Sequence, residues 1–253
     1  MSNRKLIVGN WKMNPSILEE AKRLSRGSRA LAAKLEHTDV VICPPLAFIQ
    51  ACSSKRAPSN LKTGAQAVSF EESGSHTGEV GAAMLSSIGV KYVITGHSET
   101  RAAGDTDESV SKRLKTIVEG GMTGILCVGE KVRDDGGAYL ETLKVQIQKS
   151  LSGIEAKHAK NIIMAYEPVW AIGAAEAMDP SQIYEMSLFV KKTFADVFGP
   201  ESAMKVTVLY GGSANFRNAA DIISIGKVDG LLVGRESINM PGFKEMLKAV
   251  DAL

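Results

Sequence analysis

The sequence predicts a single-domain α/β protein with an eight-stranded parallel (β/α)8 barrel. Three observations carry this: β-rich apolar runs recur eight times, helical patterns with legible ends lie between them, and each strand–helix unit takes roughly 30 residues, which matches a barrel of about 250. The runs fall at residues 6–8, 40–43, 63–68, 92–95, 124–128, 162–166, 206–210 and 230–233. Most are continuous rather than alternating in polarity, as expected of strands covered on both faces.

Three of the intervening helices carry start and stop signals. Ser16 with Glu19 reads as a capping box ahead of the stripe Ile17, Ala21, Leu24, Leu31. Asp105 with Glu108 opens the stripe Val110, Leu114, Ile117, and Gly120 with Gly121 closes it. Asp179 followed by Pro180 pairs an N-cap with proline at the first helical position, leading Ile183, Met186, Val190 and Val197 until Gly199 and Pro200 end the helix.

A doubly wound open sheet is the competing arrangement. It loses ground because no glycine-rich dinucleotide fingerprint follows the first strand and no GxxxxGK[ST] loop occurs. No linker, low-complexity tract or like-charge block interrupts the chain, so residues 1–253 are expected to form one catalytic barrel domain.

Composition narrows the function classes. The 30 Lys+Arg against 28 Asp+Glu leave a formal charge of +2, so no strong field points to nucleic acid or an anionic membrane as partner. Cys43, Cys52 and Cys127 are too few and too scattered for a disulfide framework or a zinc cage, and the four histidines show no metal-ligand pairing. No metal and no cofactor are expected. The first residues hold an apolar run of only three, short of a signal-peptide core, and nothing approaches a membrane span, so the expected location is the cytoplasm.

In such barrels the active site lies in loops at the C-terminal ends of the strands. After strand one, Asn10 and Lys12 could hold a phosphate or neutralise an oxyanion. After strand four, His97 precedes Ser98 and Glu99 where a short helix could begin, a position that favours a neutral imidazole able to donate to a carbonyl. A serine-hydrolase elbow would need glycine at position 100, and Thr100 denies it. After strand six, Glu167 is followed by Pro168 and a mainly apolar stretch of small residues through Gly173, the make-up of a lid over a base. After strands seven and eight, the turns around Gly211, Gly212 and Ser213 and around Gly234 and Arg235 could direct backbone N–H groups at an anion. Together these groups describe proton abstraction α to a carbonyl in a phosphorylated substrate.

The motifs GNWKMN, GHSE, ILCVGE, YEPVWAIG, YGGS and VDGLLVG occur in the order and spacing of the triosephosphate isomerase family, and the chain resembles that family over nearly its whole length. The resemblance implies a TIM barrel that interconverts dihydroxyacetone phosphate and D-glyceraldehyde 3-phosphate in glycolysis and gluconeogenesis. It implies Glu167 as proton shuttle and His97 as neutral electrophile, a division of labour already described for this family. Lys12 would stabilise negative charge, Asn10 would orient the oxygens, and Glu99 would be a supporting carboxylate. Gly173, Ser213, Gly234 and the amide of Arg235 would clasp the phosphate. The segment at residues 75–79 is similar to the loop that family members insert into a neighbouring subunit, which implies a homodimer.

Several positions depart from the family pattern. The lid reads Gly173, Ala174, Ala175, Glu176, Ala177, Met178, where Gly-Thr-Gly-Lys-Thr-Ala is usual. Arg235 stands where a second phosphate-binding glycine is common, Thr100 where arginine is usual, and Ala67 where asparagine is often found. Another phosphate-binding barrel enzyme would share the anion corner without the full set Lys12, His97 and Glu167, and a non-catalytic binding role is the other alternative.

Overall fold

The computed structural model describes residues 4–54, 57–174 and 176–253. Ala175 of the lid therefore lies outside the described residues. Eight parallel strands close on themselves in sequence order: β1 (Lys5–Asn10), β2 (Thr38–Cys43), β3 (Leu61–Ala65), β4 (Tyr92–Thr95), β5 (Thr123–Val128), β6 (Ile162–Tyr166), β7 (Thr207–Tyr210) and β8 (Gly230–Val233). Closure runs through β1 and β8, with Leu6 opposite Gly230 and Gly9 opposite Val233. Because all strands run the same way, the loops that leave their C-terminal ends share one rim.

The continuous apolar runs are explained by two distinct layers. Alternate strand residues, among them Leu6, Val8, Val41, Ile125, Cys127 and Leu209, form a cluster made of strand residues alone, which is the barrel interior. Their neighbours in sequence, such as Ile7, Val40, Leu126, Met164 and Val208, pack instead with helix residues including Leu24, Leu114, Ile147 and Phe194. Each such side chain taken out of water contributes about 1.5–3 kcal/mol.

The helices are α1 (Leu18–Ala32), α2 (Ile49–Cys52), α3 (Ala82–Ser87), α4 (Ser98–Ala102), α5 (Asp107–Glu119), α6 (Ala138–Ser150), α7 (Pro180–Phe198), α8 (Pro200–Lys205), α9 (Ala219–Ser224) and α10 (Met240–Asp251). The signals at α7 act as expected: the Asp179 side chain accepts from the Ser181 N–H and Gly199 ends the helix at φ 83°. Ile183, Met186 and Val190 are buried, whereas Val197 lies at the surface and the Phe194 and Phe198 rings, 4.9 Å apart, take over the last turns.

Three expectations need correction. The Ser16–Glu19 box does not form: Ile17 is the extended N-cap of α1 with no side-chain cap bond, its side chain is exposed, and Glu19 pairs with Lys22. At α5 the box is shifted by one residue, with Thr106 and Ser109 exchanging side-chain and backbone bonds while Asp105 pairs with Arg113. Strand three ends at Ala65 rather than at residue 68, because the Gln66 amide turns to donate 2.8 Å bonds to the carbonyls of Lys12 and Cys43. No helix among the described residues is long and apolar enough to cross a membrane.

Candidate active site

Asn10, Lys12, His97, Glu99, Glu167, Gly173, Ser213, Gly234 and Arg235 all line one cavity of about 770 Å³ at the C-terminal rim of the barrel. Five separate loops therefore deliver every predicted site residue to a common pocket.

Lys12 sits just past β1 with φ 54°, a left-handed conformation uncommon for a residue with a side chain. Two neighbours hold it there. The Asn10 Oδ1 accepts from the Lys12 N–H at 3.0 Å, and the Gln66 amide donates to the Lys12 carbonyl. The Lys12 Nζ meets Glu99 Oε1 at 2.7 Å. That carboxylate is largely exposed, so the pair serves to aim the ammonium more than to stabilise the fold.

His97 is the N-cap of α4, and its Nδ1 accepts the Glu99 N–H at 3.1 Å. An accepting Nδ1 carries no proton, which leaves the hydrogen on Nε2, the nitrogen that faces Glu167 Oε1 at 3.3 Å. The Glu99 carboxylate lies 3.7 Å from Nδ1, beyond hydrogen-bond range, so the backbone contact assigns the tautomer. Thr100 reinforces the turn by donating from Oγ1 to the His97 carbonyl at 2.9 Å.

Glu167 directly follows β6 and is 3 % exposed. Its Oε2 accepts from the Ser98 N–H at 3.3 Å. Burial pushes its carboxyl above the usual carboxylate range, against the opposing pulls of His97, the Ser98 N–H, Cys127 and Lys12. Its backbone is clamped from both sides: the Glu167 N–H donates to the Val128 carbonyl, and Gly211 bonds Tyr166 just before it. The clamp requires two glycines. A Cβ on Gly129 would stand 1.8 Å from the Glu167 carbonyl oxygen, and one on Gly211 would stand 2.6 Å from Glu167 Cγ.

The segment after Glu167 is anchored at both ends. Buried Glu130 accepts from Tyr166 Oη and Trp170 Nε1, each at 2.9 Å, and Ser213 Oγ donates to the Ala171 carbonyl. At the far end the Met178 N–H donates to Tyr210 Oη at 3.1 Å. Between them the small, mainly apolar residues Ile172, Gly173 and Ala174 border the cavity. The N–H groups of Gly173, Ser213, Gly234 and Arg235 meet no acceptor among the described residues. Four donors without acceptors border the same cavity and could meet an anion there.

Gln66, Glu130 and Tyr210 position this machinery and were not singled out from the sequence, although each follows or ends a strand at the same rim.

In sequence, the chain is similar to known proteins of one family over nearly its whole length. A family model described as triosephosphate isomerase matches residues 5–250. The triosephosphate isomerase of Carboxydothermus hydrogenoformans is 38% identical over 244 residues, covering 96% of this chain and 97% of that protein. That of Rhodopirellula baltica is 37% identical over 257 residues, the full length of both. That of Thermus thermophilus is 38% identical over 248 residues, 97% of this chain and 98% of its own.

Proposed function

From the premise that the chain belongs to the triosephosphate isomerase family, and so interconverts dihydroxyacetone phosphate and D-glyceraldehyde 3-phosphate, we propose how its own residues perform that reaction. Glu167 takes the proton from the carbon beside the carbonyl and returns it to the neighbouring carbon. Negative charge passes to the carbonyl oxygen in the enediolate, where the His97 Nε2–H donates to it. This division between a glutamate base and a neutral histidine is already described for the family. The Lys12 ammonium stabilises the same charge and the phosphate, Asn10 orients the oxygens, and Glu99 holds Lys12. Gly173, Ser213, Gly234 and the Arg235 amide clasp the phosphate, and the lid keeps water from the enediolate. The observation that carries these roles is the shared cavity of Lys12, His97 and Glu167. A coupled assay of triose phosphate interconversion on the purified protein tests them, with single substitutions at those three positions each expected to lower kcat.

The raised Glu167 carboxyl sets the acid limb of the pH profile. The base works only when ionised, so kcat at saturating substrate, where the ionisation of the free substrate phosphate drops out, falls as pH drops through its pKa, and that limb is expected above the ordinary carboxylate value of 4.5. A profile that stays flat to below pH 4.5 would contradict Glu167 as the base.

The reading extends to a homodimer, in which the loop at residues 75–79 of one protomer approaches Lys12 and His97 of its partner. That loop is exposed throughout, and Met13, beside Lys12, is 92% exposed despite being apolar. Gly78 and Glu79 line a second cavity of about 430 Å³ with Leu46, Ile49 and Val68, and buried Thr95 Oγ1, without a partner, also borders it. Sedimentation is expected to give a dimer, and Thr77→Asp with Met13→Asp a monomer of reduced kcat. A fully active wild-type monomer would refute the dimer. The three free, buried cysteines fit the cytoplasm as location.

A further inference from the structure

We propose that the Arg235 guanidinium is a side-chain ligand of the substrate phosphate, bridging it to the lid and selecting the phosphate dianion. The proposal rests on the phosphate corner assigned above and adds to it a group that a backbone clasp does not contain.

Arg235 opens the 3-10 turn Arg235–Ser237 that follows β8 and lines the cavity with Lys12, Gly173 and Ser213. Arg235 is exposed, and one end of its side chain approaches the lid. The Nη2 lies 3.9 Å from where a Cβ would stand on Gly173, so the planar fork reaches across to the lid. On the other side, Lys12 Cε and Nζ lie 3.4 and 3.9 Å from the equivalent point on Gly234. Two cations thus flank the turn at which the Gly234 and Arg235 N–H groups meet no acceptor among the described residues.

The two cations differ in what holds them. Lys12 is paired with Glu99, whereas the Arg235 guanidinium makes no ion pair or hydrogen bond among the described residues. The carboxylates of the same cavity are engaged elsewhere: Glu167 with Ser98 and His97, and Glu236 with Asn239. An unpaired guanidinium beside free N–H donors is complementary to an oxyanion with several equivalent oxygens, two of which a planar fork binds in parallel. A carboxylate is too small to meet the fork and the four N–H groups together, and an uncharged hydroxyl gains little from either. A phosphate monoester is the ligand that uses both, and its second ionisation, near about pH 6, makes the dianion the form bound at neutral pH.

The test is calorimetric titration of wild type, R235Q and R235K with inorganic phosphate at pH 7.5 and pH 5, with KM and kcat for D-glyceraldehyde 3-phosphate measured in parallel. Loss of a charge-assisted bidentate contact is expected to weaken phosphate binding by about 10-fold or more in R235Q. KM should rise in step while kcat changes far less, R235K should recover part of the loss, and the difference should shrink at pH 5. Equal phosphate affinity in wild type and R235Q would overturn the proposal, as would a fall in kcat at unchanged KM. Arg235 is exposed, and matching thermal melts establish that the variants fold. Phosphate binding is read without turnover, so failure of the catalytic roles of Glu167 and His97 would show in the assay alone and leave this result distinct.

Discussion

Glu167→Gln is expected to lower kcat by about a thousandfold, within the 10²–10⁴ span typical of general acid–base catalysis, while the affinity for a non-reacting phosphate analogue stays nearly unchanged. The amide keeps the size of the side chain and one acceptor for either His97 or the Ser98 N–H, so the loss of proton transfer is the dominant effect. A second consequence follows from the direction of the carboxyl's shift. Its affinity for a proton is higher folded than unfolded, because burial penalises the charge. Its contribution to stability is therefore fully present below the unfolded value of 4.5 and is lost as pH rises through the folded value. The neutral amide of Glu167→Gln does not titrate, so the variant should gain stability in urea relative to the wild type as pH rises through the folded value. Wild-type turnover in the variant would remove Glu167 from the mechanism, and a stability difference that does not change with pH would show that its proton affinity is the same folded and unfolded.

Gly129→Ala is the second large effect. The added methyl would stand 1.8 Å from the Glu167 carbonyl oxygen, where at least about 3.0 Å is needed, so the ends of β5 and β6 must separate by more than an ångström. Overpacking of this size costs about 3 kcal/mol, and a 1 Å displacement of a catalytic group costs about 10²-fold in rate. Both should appear together, as a lower urea midpoint and a reduced kcat. A variant as stable and as fast as the wild type would mean that the clamp around Glu167 has slack.

The barrel was legible because its strands are covered on both sides, and two-sided burial leaves continuous apolar runs such as those leading into Val128 and Tyr166. Local boundaries were less so. Ala67 and Val68 extend the apolar look of strand three past Gln66, but the direction of the chain there is decided by the Gln66 amide reaching the carbonyls of Lys12 and Cys43. At the start of α5, the acidic pair Asp105 and Glu108 and the hydroxyl pair Thr106 and Ser109 both suit a cap. The contact of Asp105 with Arg113, eight residues on, selects the hydroxyls.

The reacting groups were legible because Lys12, His97 and Glu167 are each polar residues just past an apolar strand. Gln66 obeys the same rule and was hidden inside an overextended strand. Glu130 stood at the end of a motif without a role, since its partners Tyr166 and Trp170 lie 36 and 40 positions away. For Arg235 the departure from the family's glycine leaves two directions for the side chain, away from the site or into it as an added charge, a matter that only coordinates resolve. Its approach to Gly173 favours the charge.

The central claim is that Glu167 moves a carbon-bound proton in a cavity it shares with His97 and Lys12. Incubating dihydroxyacetone phosphate with the protein in D₂O, and following the carbon-bound hydrogens by NMR, tests it most directly. Wild type should introduce deuterium at the carbons that lose and regain a proton, and Glu167→Gln should introduce almost none over the same interval. Exchange and isomerisation at the wild-type rate in that variant would contradict the assignment.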